Sequence, residues 1–147
     1  MQYRYPRIYG GCFGCQIIGY ALGGSVDYNP DRLFHLKAEE VQTQMDNFRS
    51  IFYNPSEADF IQPIYRMIVS HGDCVETLPE NATRIASSNS CVNEMYACGK
   101  ENNILACQSH PEFEYKYTIE ERIWPAVVDL NHRLTDDQIV EPKAKTQ

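Results

Sequence analysis

The stretch RIYGGCFGCQIIG, residues Arg7–Gly19, decides the fold. It predicts a short strand, a sharp glycine-rich turn that carries Cys12, and then a helix. Such a turn holds a cysteine side chain over the edge of a sheet, with the free N–H groups of the helix N-terminus beneath it. We expect Gly10, Gly11 and Gly14 to be needed, because a Cβ there would collide with neighbouring backbone. A glycine-rich turn around a buried structural cysteine has the same pattern, so the stretch alone leaves both interpretations open.

Composition limits the classes of function. The chain has 147 residues, of which 43% are hydrophobic and 22% charged, as expected for one globular domain with a real core. The net charge of −7 argues against a nucleic-acid partner, since such partners bind basic faces. No apolar run approaches membrane-spanning length, and the first six residues lack the apolar core of a signal peptide. We therefore expect a cytoplasmic or organellar protein whose six cysteines are reduced.

Strand and helix patterns alternate along the chain. A helix is predicted from Cys15 to Leu22, and the two glycines after it end it. In region 33–52, apolar and polar residues first alternate and apolar residues then recur at helical spacing, which predicts a strand followed by a helix. A polar turn is predicted at Ser70–Asp73 and a loop at Asn54–Glu57. Further strands are predicted at 25–28, 64–69, 84–87, 91–98 and 104–108, with the last two forming a hairpin.

The C-terminal part is predicted to be helical. Apolar residues at helical spacing indicate an amphipathic helix that Pro125 kinks: Ile119, Ile123, Val127 and Leu130. Thr135–Gln138 matches a capping box and predicts a short last helix. The expected organisation is one domain over residues 1–134, followed by a short helix and polar tail over residues 135–147.

His110 and Glu112 follow the predicted strand 104–108. An imidazole at one strand end can reach a cysteine at the end of a neighbouring parallel strand, and a carboxylate two residues later can hold its tautomer. Pro111 stiffens the turn between them. A surface turn explains His-Pro-Glu equally well in isolation, so the pattern gains its meaning from Cys12.

Four motifs in this order resemble the class I glutamine amidotransferase family, which uses a Cys–His–Glu triad. The family patterns are G-x-C-x-G-x-Q, S-H-x-D, a short N-E-M strand and G-x-Q-x-H-P-E-F. The resemblance runs from Arg7 to about Leu134 and is greatest to stand-alone eukaryotic members similar to the amidotransferase domain of GMP synthetase. The matching segments here are Gly10–Gln16, Ser70–Asp73, Asn93–Met95 and Ala106–Phe113.

The resemblance implies an α/β fold and a covalent mechanism. The expected architecture is a partial doubly wound, flavodoxin-like and mostly parallel sheet, a truncated form of the family domain. Cys12 would attack the side-chain amide of glutamine to give a γ-glutamyl thioester and ammonia. His110 would move the proton from the thiol to the leaving ammonia, and Glu112 would orient His110. The substrate could instead be a γ-glutamyl peptide, because some members are peptidases.

The resemblance also implies the residues that bind the substrate. The N–H of Phe13 would form part of the oxyanion hole. Gln16, Ser70 and His71 would help to hold the α-carboxylate and α-amino groups of glutamine. No metal and no cofactor are expected, since Cys74, Cys91, Cys98 and Cys107 lack the close paired spacing of zinc ligands.

One departure from the family is the short segment before the elbow. Eleven residues precede Cys12, whereas family members have the first strands and helices of the sheet there, including a glycine that completes the oxyanion hole. We therefore expect that this chain is not self-sufficient. It would be a fragment, an incorrect gene model, a subunit whose open sheet edge another protein chain covers, or a degenerate paralogue kept for assembly.

A second departure is Cys15, which makes a C-x-x-C pair with Cys12. Such a pair at a strand–helix junction is also typical of thioredoxin-like redox proteins, and a Cys12–Cys15 disulfide would block the nucleophile. Three hypotheses follow: a glutamine amidotransferase or γ-glutamyl hydrolase, a catalytically inactive structural subunit derived from one, and a redox protein. The redox hypothesis ranks last, because it leaves His110 and Glu112 unexplained.

Overall fold

The structure, a computed structural model, describes residues 5–52, 62–123 and 125–126. Its elements are β1 (Ile8–Gly11), α1 (Phe13–Ala21), β2 (Ser25–Tyr28), β3 (His35–Thr43), α2 (Met45–Phe52), β4 (Ile64–His71), β5 (Asp73–Thr77), β6 (Thr83–Ser87), β7 (Met95–Cys98), β8 (Ile104–Cys107) and α3 (Tyr115–Ile123). A 3-10 turn at Lys100–Asn102 joins β7 to β8, and α3 is wound as a π-helix. Among the described helices, none is long and apolar enough to cross a membrane.

Two sheets build the fold. Six strands form a curled sheet in the order β1-β8-β7-β6-β3-β4, and β2 pairs with β5 in a separate antiparallel ribbon. In the large sheet, β1 runs parallel to β8, with Gly11 beside Cys107 at the carboxyl end of both strands. Helix α1 packs against β1, β2, β5 and β8 and thereby joins the two sheets.

The predicted α/β fold is confirmed, but the expectation of a mostly parallel sheet is wrong. In the six-stranded sheet only the β1–β8 pairing is parallel, and the pairings β3–β4, β3–β6, β6–β7 and β7–β8 are antiparallel. The physical reason lies in the connections. Segments 88–94 and 99–103 are too short for the crossover of about a dozen residues that parallel neighbours require.

The predicted elements agree with the structure in most places. The strand–turn–helix around Cys12, the strand and helix within 33–52 and the β7–β8 hairpin are confirmed. The turn expected at Ser70–Asp73 is shorter, because Ser70 and His71 belong to β4 and a new strand, β5, begins at Asp73. The loop at 54–57, Val127, Leu130, the helix at 135–138 and the unit 135–147 lie outside the described residues, as does Trp124, so the kink at Pro125 stays a prediction.

The core beneath the elbow is small and tightly packed. Cys15, Val75, Tyr96 and Ala106 are fully buried in one cluster. The Tyr96 hydroxyl donates a 2.7 Å hydrogen bond to the Cys15 carbonyl, so α1 is fastened to β7 by a polar contact as well as by apolar packing. A second cluster on the other side of the molecule joins Leu36 and Ile68 to Ile119 of α3.

The glycines of the elbow are not equivalent. A Cβ on Gly10 would lie 2.4 Å from Ile18 Cδ1 and 2.8 Å from the Gly14 carbonyl, so Gly10 permits the close approach of β1 and α1. A Cβ on Gly11 would reach only ordinary contact distance, 3.4 Å from the Tyr9 ring. A Cβ on Gly14 would meet nothing within 4 Å. The expectation that a Cβ would collide at all three positions is therefore correct for Gly10 and wrong for Gly11 and Gly14.

This difference predicts two outcomes at matched positions. Gly10→Ala should lower the free energy of unfolding by about 1–3 kcal/mol, because the added methyl forces β1 away from α1. Gly14→Ala should leave stability unchanged or raise it by about 0.5–1 kcal/mol, because alanine favours the helix. Urea unfolding followed by circular dichroism measures both. Equal destabilisation by the two substitutions would contradict the packing described here.

Candidate active site

Cys12 occupies the strained turn between β1 and α1. Its backbone angles are φ 50° and ψ −110°, in the left-handed half of φ space that a non-glycine residue enters at a cost of about 1–3 kcal/mol. The Cys12 N–H donates a 2.8 Å hydrogen bond to the Cys107 carbonyl, and its own carbonyl accepts the first helical bond, from Gln16. The parallel neighbour and the helix thus hold the turn from both sides.

The Cys12 thiol lies between two polar groups from distant parts of the chain. Its sulfur is 3.7 Å from the Ser70 carbonyl oxygen, to which the S–H donates. The Gln108 side-chain amide donates to the sulfur at 3.7 Å from the other direction. The N–H of Phe13, at the start of α1, also points to the sulfur. Donors of this kind stabilise a thiolate.

The resting thiol is kept neutral. Burial raises the pKa of Cys12, and the carboxylates of Glu112 and Glu94 raise it further, whereas the Phe13 N–H and the Gln108 amide act in the opposite direction. The net effect is a raised pKa. A thiol in this state needs a base to become a nucleophile.

His110 and Glu112 form the pair that the sequence predicts. The Nδ1 atom of His110 lies 2.7 Å from Glu112 Oε1, and the imidazole stacks on Phe113 with ring centroids 3.9 Å apart. The His110 backbone N–H donates to the Ile68 carbonyl at 2.8 Å, which ties the turn to β4. With Nδ1–H directed at the carboxylate, Nε2 is the nitrogen left to accept a proton.

The topology brings Cys12 and His110 to the same edge of the sheet. Cys12 follows β1, and His110 lies three residues beyond Cys107, the last residue of the parallel strand β8. Within the described ranges, however, the hydrogen-bond partners of the thiol are Ser70 and Gln108 and do not include His110. Such bonds are often long without substrate and tighten when it binds, so this geometry is compatible with a nucleophile and its base.

Gln16 lies one helical turn after Cys12 and contacts the same Gln108 side chain. Its Nε2 donates to the Asp73 carbonyl at 2.8 Å and to Gln108 Oε1 at 3.2 Å. Gln108 therefore bridges Gln16 and the Cys12 sulfur. The amide groups of Gln16 and Gln108, the Ser70 carbonyl and the thiol together form a polar surface beside the elbow.

His71 is placed differently from the other predicted binding residues. Its side chain is enclosed, with the residue 3% exposed, Nδ1 lies 2.9 Å from Asn29 Oδ1, and Nε2 lies 3.5 Å from Ser90 Oγ. Burial, with a smaller contribution from His35, lowers the pKa of His71 to about 4. The imidazole is thus neutral and faces the interior, so in this conformation any contact with a ligand would come from the neighbouring backbone.

Two buried residues were not singled out by the sequence reasoning. Gln108 contacts Cys12 directly, and Glu94 accepts the Ser109 N–H at 2.7 Å. Both lie inside segments that resemble family motifs, N-E-M and G-x-Q-x-H-P-E-F, so the motifs themselves contained the signal. What the sequence could not supply is the contact that each side chain makes.

The other cysteines pack as small apolar side chains. Cys15 is fully buried in the core beneath the elbow, and burial raises its pKa, while all six cysteines are free thiols. An enclosed thiol with a raised pKa lacks the exposed, low-pKa character of a redox-active cysteine. In the part of the chain that the structure describes, no group of three potential metal ligands comes together.

Comparison with known proteins identifies the family. The family model for class I glutamine amidotransferases matches residues 3–122 of the chain. The chain belongs to the class I glutamine amidotransferase family. The family predicted from the four motifs is thereby confirmed, and the strained cysteine turn and the His110–Glu112 pair lie within the matched residues.

The matched relatives are longer than this chain. It is 32% identical over 110 residues to a Saccharomyces cerevisiae protein named "putative glutamine amidotransferase". The aligned region covers 75% of this chain and 39% of the yeast protein. It is 30% identical over 110 residues to the glutamine-hydrolysing GMP synthase of Proteus mirabilis, covering 75% of this chain and 20% of that protein. The chain thus spans well under half the length of these relatives.

Solved structures support the fold assignment. The crystal structure of a glutamine amidotransferase from Thermotoga maritima superposes with a TM-score of 0.53 at 25% sequence identity. The superposition covers 69% of this chain and 39% of that one. The shared part is an α/β fold.

Burial of His71 predicts a pH dependence of stability. Below pH 6.5, the ordinary value, the unfolded chain binds a proton that the folded chain excludes until about pH 4. The free energy of unfolding should therefore fall as the pH drops from 6.5 to 4, by up to about 1.4 kcal/mol per pH unit. His71→Gln lacks this contribution, so its curve should be flatter. Urea titrations at several pH values measure the difference, and equal slopes for the two proteins would contradict it.

Proposed function

We propose that the protein hydrolyses the side-chain amide of glutamine, or a γ-glutamyl bond, through a thioester on Cys12. The observation that carries the proposal is the placement of a strained, partly buried thiol and a carboxylate-oriented imidazole at the carboxyl ends of two parallel strands. Membership of the glutamine amidotransferase family supports glutamine as the substrate. The reaction, its substrate and the roles of the residues are parts of this proposal.

The first half of the reaction makes the thioester. His110 Nε2 takes the Cys12 proton, and the sulfur attacks the amide carbon of the substrate. The resulting oxyanion lies against the Phe13 N–H, the donor already directed at the elbow. The carbon–nitrogen bond then breaks, and His110 returns the proton so that ammonia leaves as a neutral molecule.

The second half regenerates the enzyme. A water molecule gives a proton to His110 and attacks the thioester carbon, after which the carbon–sulfur bond breaks and Cys12 recovers its proton. Glutamate is the product when glutamine is the substrate. Throughout, the 2.7 Å contact with Glu112 holds the His110 tautomer and stabilises the imidazolium that forms twice in each cycle.

Gln16 and the Ser70–Asp73 segment form the proposed binding surface for the α-amino and α-carboxylate groups. Gln16 spans from the elbow to the Asp73 carbonyl, so its amide is fixed beside the thiol. Ser70 contributes its carbonyl at the sulfur. His71 supports this segment from inside through Asn29, which also donates to the His71 carbonyl at 3.0 Å.

The second candidate function is a catalytically inactive subunit of a larger assembly. One observation favours it: an apolar face of α1 is exposed, formed by Phe13, Ile17 and Tyr20 at helical spacing, with Tyr20 74% accessible, and Ile8 and Tyr9 of the neighbouring strand β1 are exposed as well. We name these residues together the β1–α1 surface. Strand β1 is an edge of the six-stranded sheet, and its outer side carries no strand among the described residues. Another protein chain covering this edge is the partner we propose.

All six cysteines are free in the structure. From the lack of a signal-peptide pattern and the size of the chain, we propose that the protein works in the cytoplasm or in an organelle.

Ammonia release tests the enzymatic proposal. The purified full chain should release ammonia from glutamine or from a γ-glutamyl peptide, and Cys12→Ala should abolish it. Cys15→Ala is the matched control, because that thiol is buried and takes no part in the reaction. Ammonia release that survives Cys12→Ala would contradict the proposal.

Native mass tests the proposed partner chain. The protein purified from its own cells should run in a complex larger than the 16.9 kDa monomer. Ile17→Lys with Tyr20→Lys should convert it to the monomer mass, because two charges on the β1–α1 surface prevent apolar contact. Tyr117→Lys, at an exposed side chain of α3 outside this surface, is the control and should leave the complex intact. A wild-type protein that runs as a monomer would contradict the proposal.

A further inference from the structure

Glu94 is a fully buried carboxylic acid that the proposed reaction does not use. It is 0% exposed and lies just before β7. Its Oε1 accepts the Ser109 N–H at 2.7 Å, and its Oε2 accepts the Ser88 hydroxyl at 2.8 Å. Its backbone carbonyl accepts the Gln108 N–H at 2.8 Å. A single residue thus binds two consecutive backbone N–H groups of the segment that follows β8.

The two residues that Glu94 holds lead directly to the thiol and to the proposed base. Gln108 extends its amide to within 3.7 Å of the Cys12 sulfur and accepts a 3.2 Å bond from Gln16. Ser109 is followed immediately by His110. A shift of residues 108–109 would therefore move the amide away from the sulfur and change the position of the imidazole at the same time.

The chemistry of the site fits a carboxylate. The Ser109 N–H can only donate, and the Ser88 hydroxyl donates as well, so a group with two acceptor oxygens satisfies both. Placing a carboxyl group there is costly: burial raises the pKa of Glu94, and the nearby Glu39 raises it further, although the two hydrogen bonds act in the opposite direction. An apolar side chain would leave the Ser109 N–H buried without an acceptor. The free energy of unfolding would then fall by more than the net contribution of one hydrogen bond.

A second carboxylate lies behind the first. The Ser88 hydroxyl is 3.3 Å from the Ser90 hydroxyl, which donates to Glu39. Glu39 is paired with Lys37 at 3.3 Å. The charged group facing Glu94 is therefore Glu39, whose own charge is compensated by Lys37, so a substitution at Glu94 changes one uncompensated charge near the site.

We propose that Glu94 is a positioning residue that holds Gln108 and Ser109 in place. The Gln108 amide then reaches the Cys12 sulfur, and the backbone from which His110 projects is held in one position. The role rests on the proposed function in so far as Cys12 is the nucleophile. The contact between Gln108 and the thiol can nevertheless be measured without turnover.

The test is the pH dependence of Cys12 alkylation by iodoacetamide in the full chain, followed by mass spectrometry. Burial raises the pKa of the thiol most, the carboxylates of Glu112 and Glu94 raise it further, and the Phe13 N–H and the Gln108 amide lower it. Glu94→Gln and Glu94→Ala both remove the same charge. Only Glu94→Ala also removes the acceptor for the Ser109 N–H. The Gln108 N–H keeps its bond to the carbonyl of residue 94. Loss of the Ser109 anchor should therefore loosen the segment beside it and weaken the contact of the Gln108 amide with the sulfur.

The expected result is a difference between the two variants. The alkylation profile of Glu94→Gln should shift to lower pH than that of the wild type, and the profile of Glu94→Ala should lie at higher pH than that of Glu94→Gln. With Gln108→Leu in the background, the two Glu94 variants should give the same profile. Identical profiles without Gln108→Leu would overturn the proposal, because Glu94 would then act through its charge alone.

A second measurement decides the question if Glu94→Ala does not fold. In Glu94→Gln the Ser109 N–H loses a charge-assisted bond, so its amide hydrogen should exchange about tenfold faster than in the wild type. Ser88→Ala, which leaves Glu94 Oε1 on Ser109, should change this exchange much less. An unchanged Ser109 rate in Glu94→Gln would overturn the proposal. Absence of ammonia release together with the predicted alkylation profiles would contradict the enzymatic function and leave the positioning role standing.

Discussion

The pairing of β1 with β8 is the contact on which the rest of the structure depends. These strands are about ninety residues apart in sequence, yet they run parallel from Ile8 beside Ile104 to Gly11 beside Cys107. The 2.8 Å bond from the Cys12 N–H to the Cys107 carbonyl continues the ladder into the turn. Because parallel strands end at the same edge, the thiol contacts Gln108 and lies at the edge of the sheet from which the His110–Glu112 pair follows. An antiparallel pairing would have placed them at opposite ends of the sheet.

Local chemistry made part of this predictable. The close approach at Gly10, the helix after the elbow, the β7–β8 hairpin and the contact between His110 and Glu112 are determined by residues close together in sequence, and here expectation and structure agree. The predominance of antiparallel pairs was missed, since strand pairing depends on contacts between distant segments. The interior position of His71 was missed for the same reason: its partner Asn29 is 42 residues away.

The site is built from two layers with different physical roles. The outer layer is the thiol, His110 and Glu112, of which Glu112 is exposed and Cys12 and His110 are partly buried. The inner layer is a buried polar chain in which Glu94 binds Ser109 and His71 binds Asn29. Buried polar groups of this kind are costly unless they are paired, and when paired they hold one geometry. The inner layer can therefore fix the backbone positions from which the side chains of the outer layer project. The motifs that resemble the family contain residues of both the inner and the outer layer.

The proposed function requires that Cys12 attack the side chain of glutamine. The most direct measurement is covalent labelling of the full chain by a glutamine analogue that carries an electrophilic diazoketone in place of the side-chain amide. Mass spectrometry should find one adduct, on Cys12, and free glutamine should slow its formation. Labelling spread over the other cysteines, or labelling of Cys12 that glutamine does not slow, would contradict the proposed role of Cys12 as the nucleophile for glutamine.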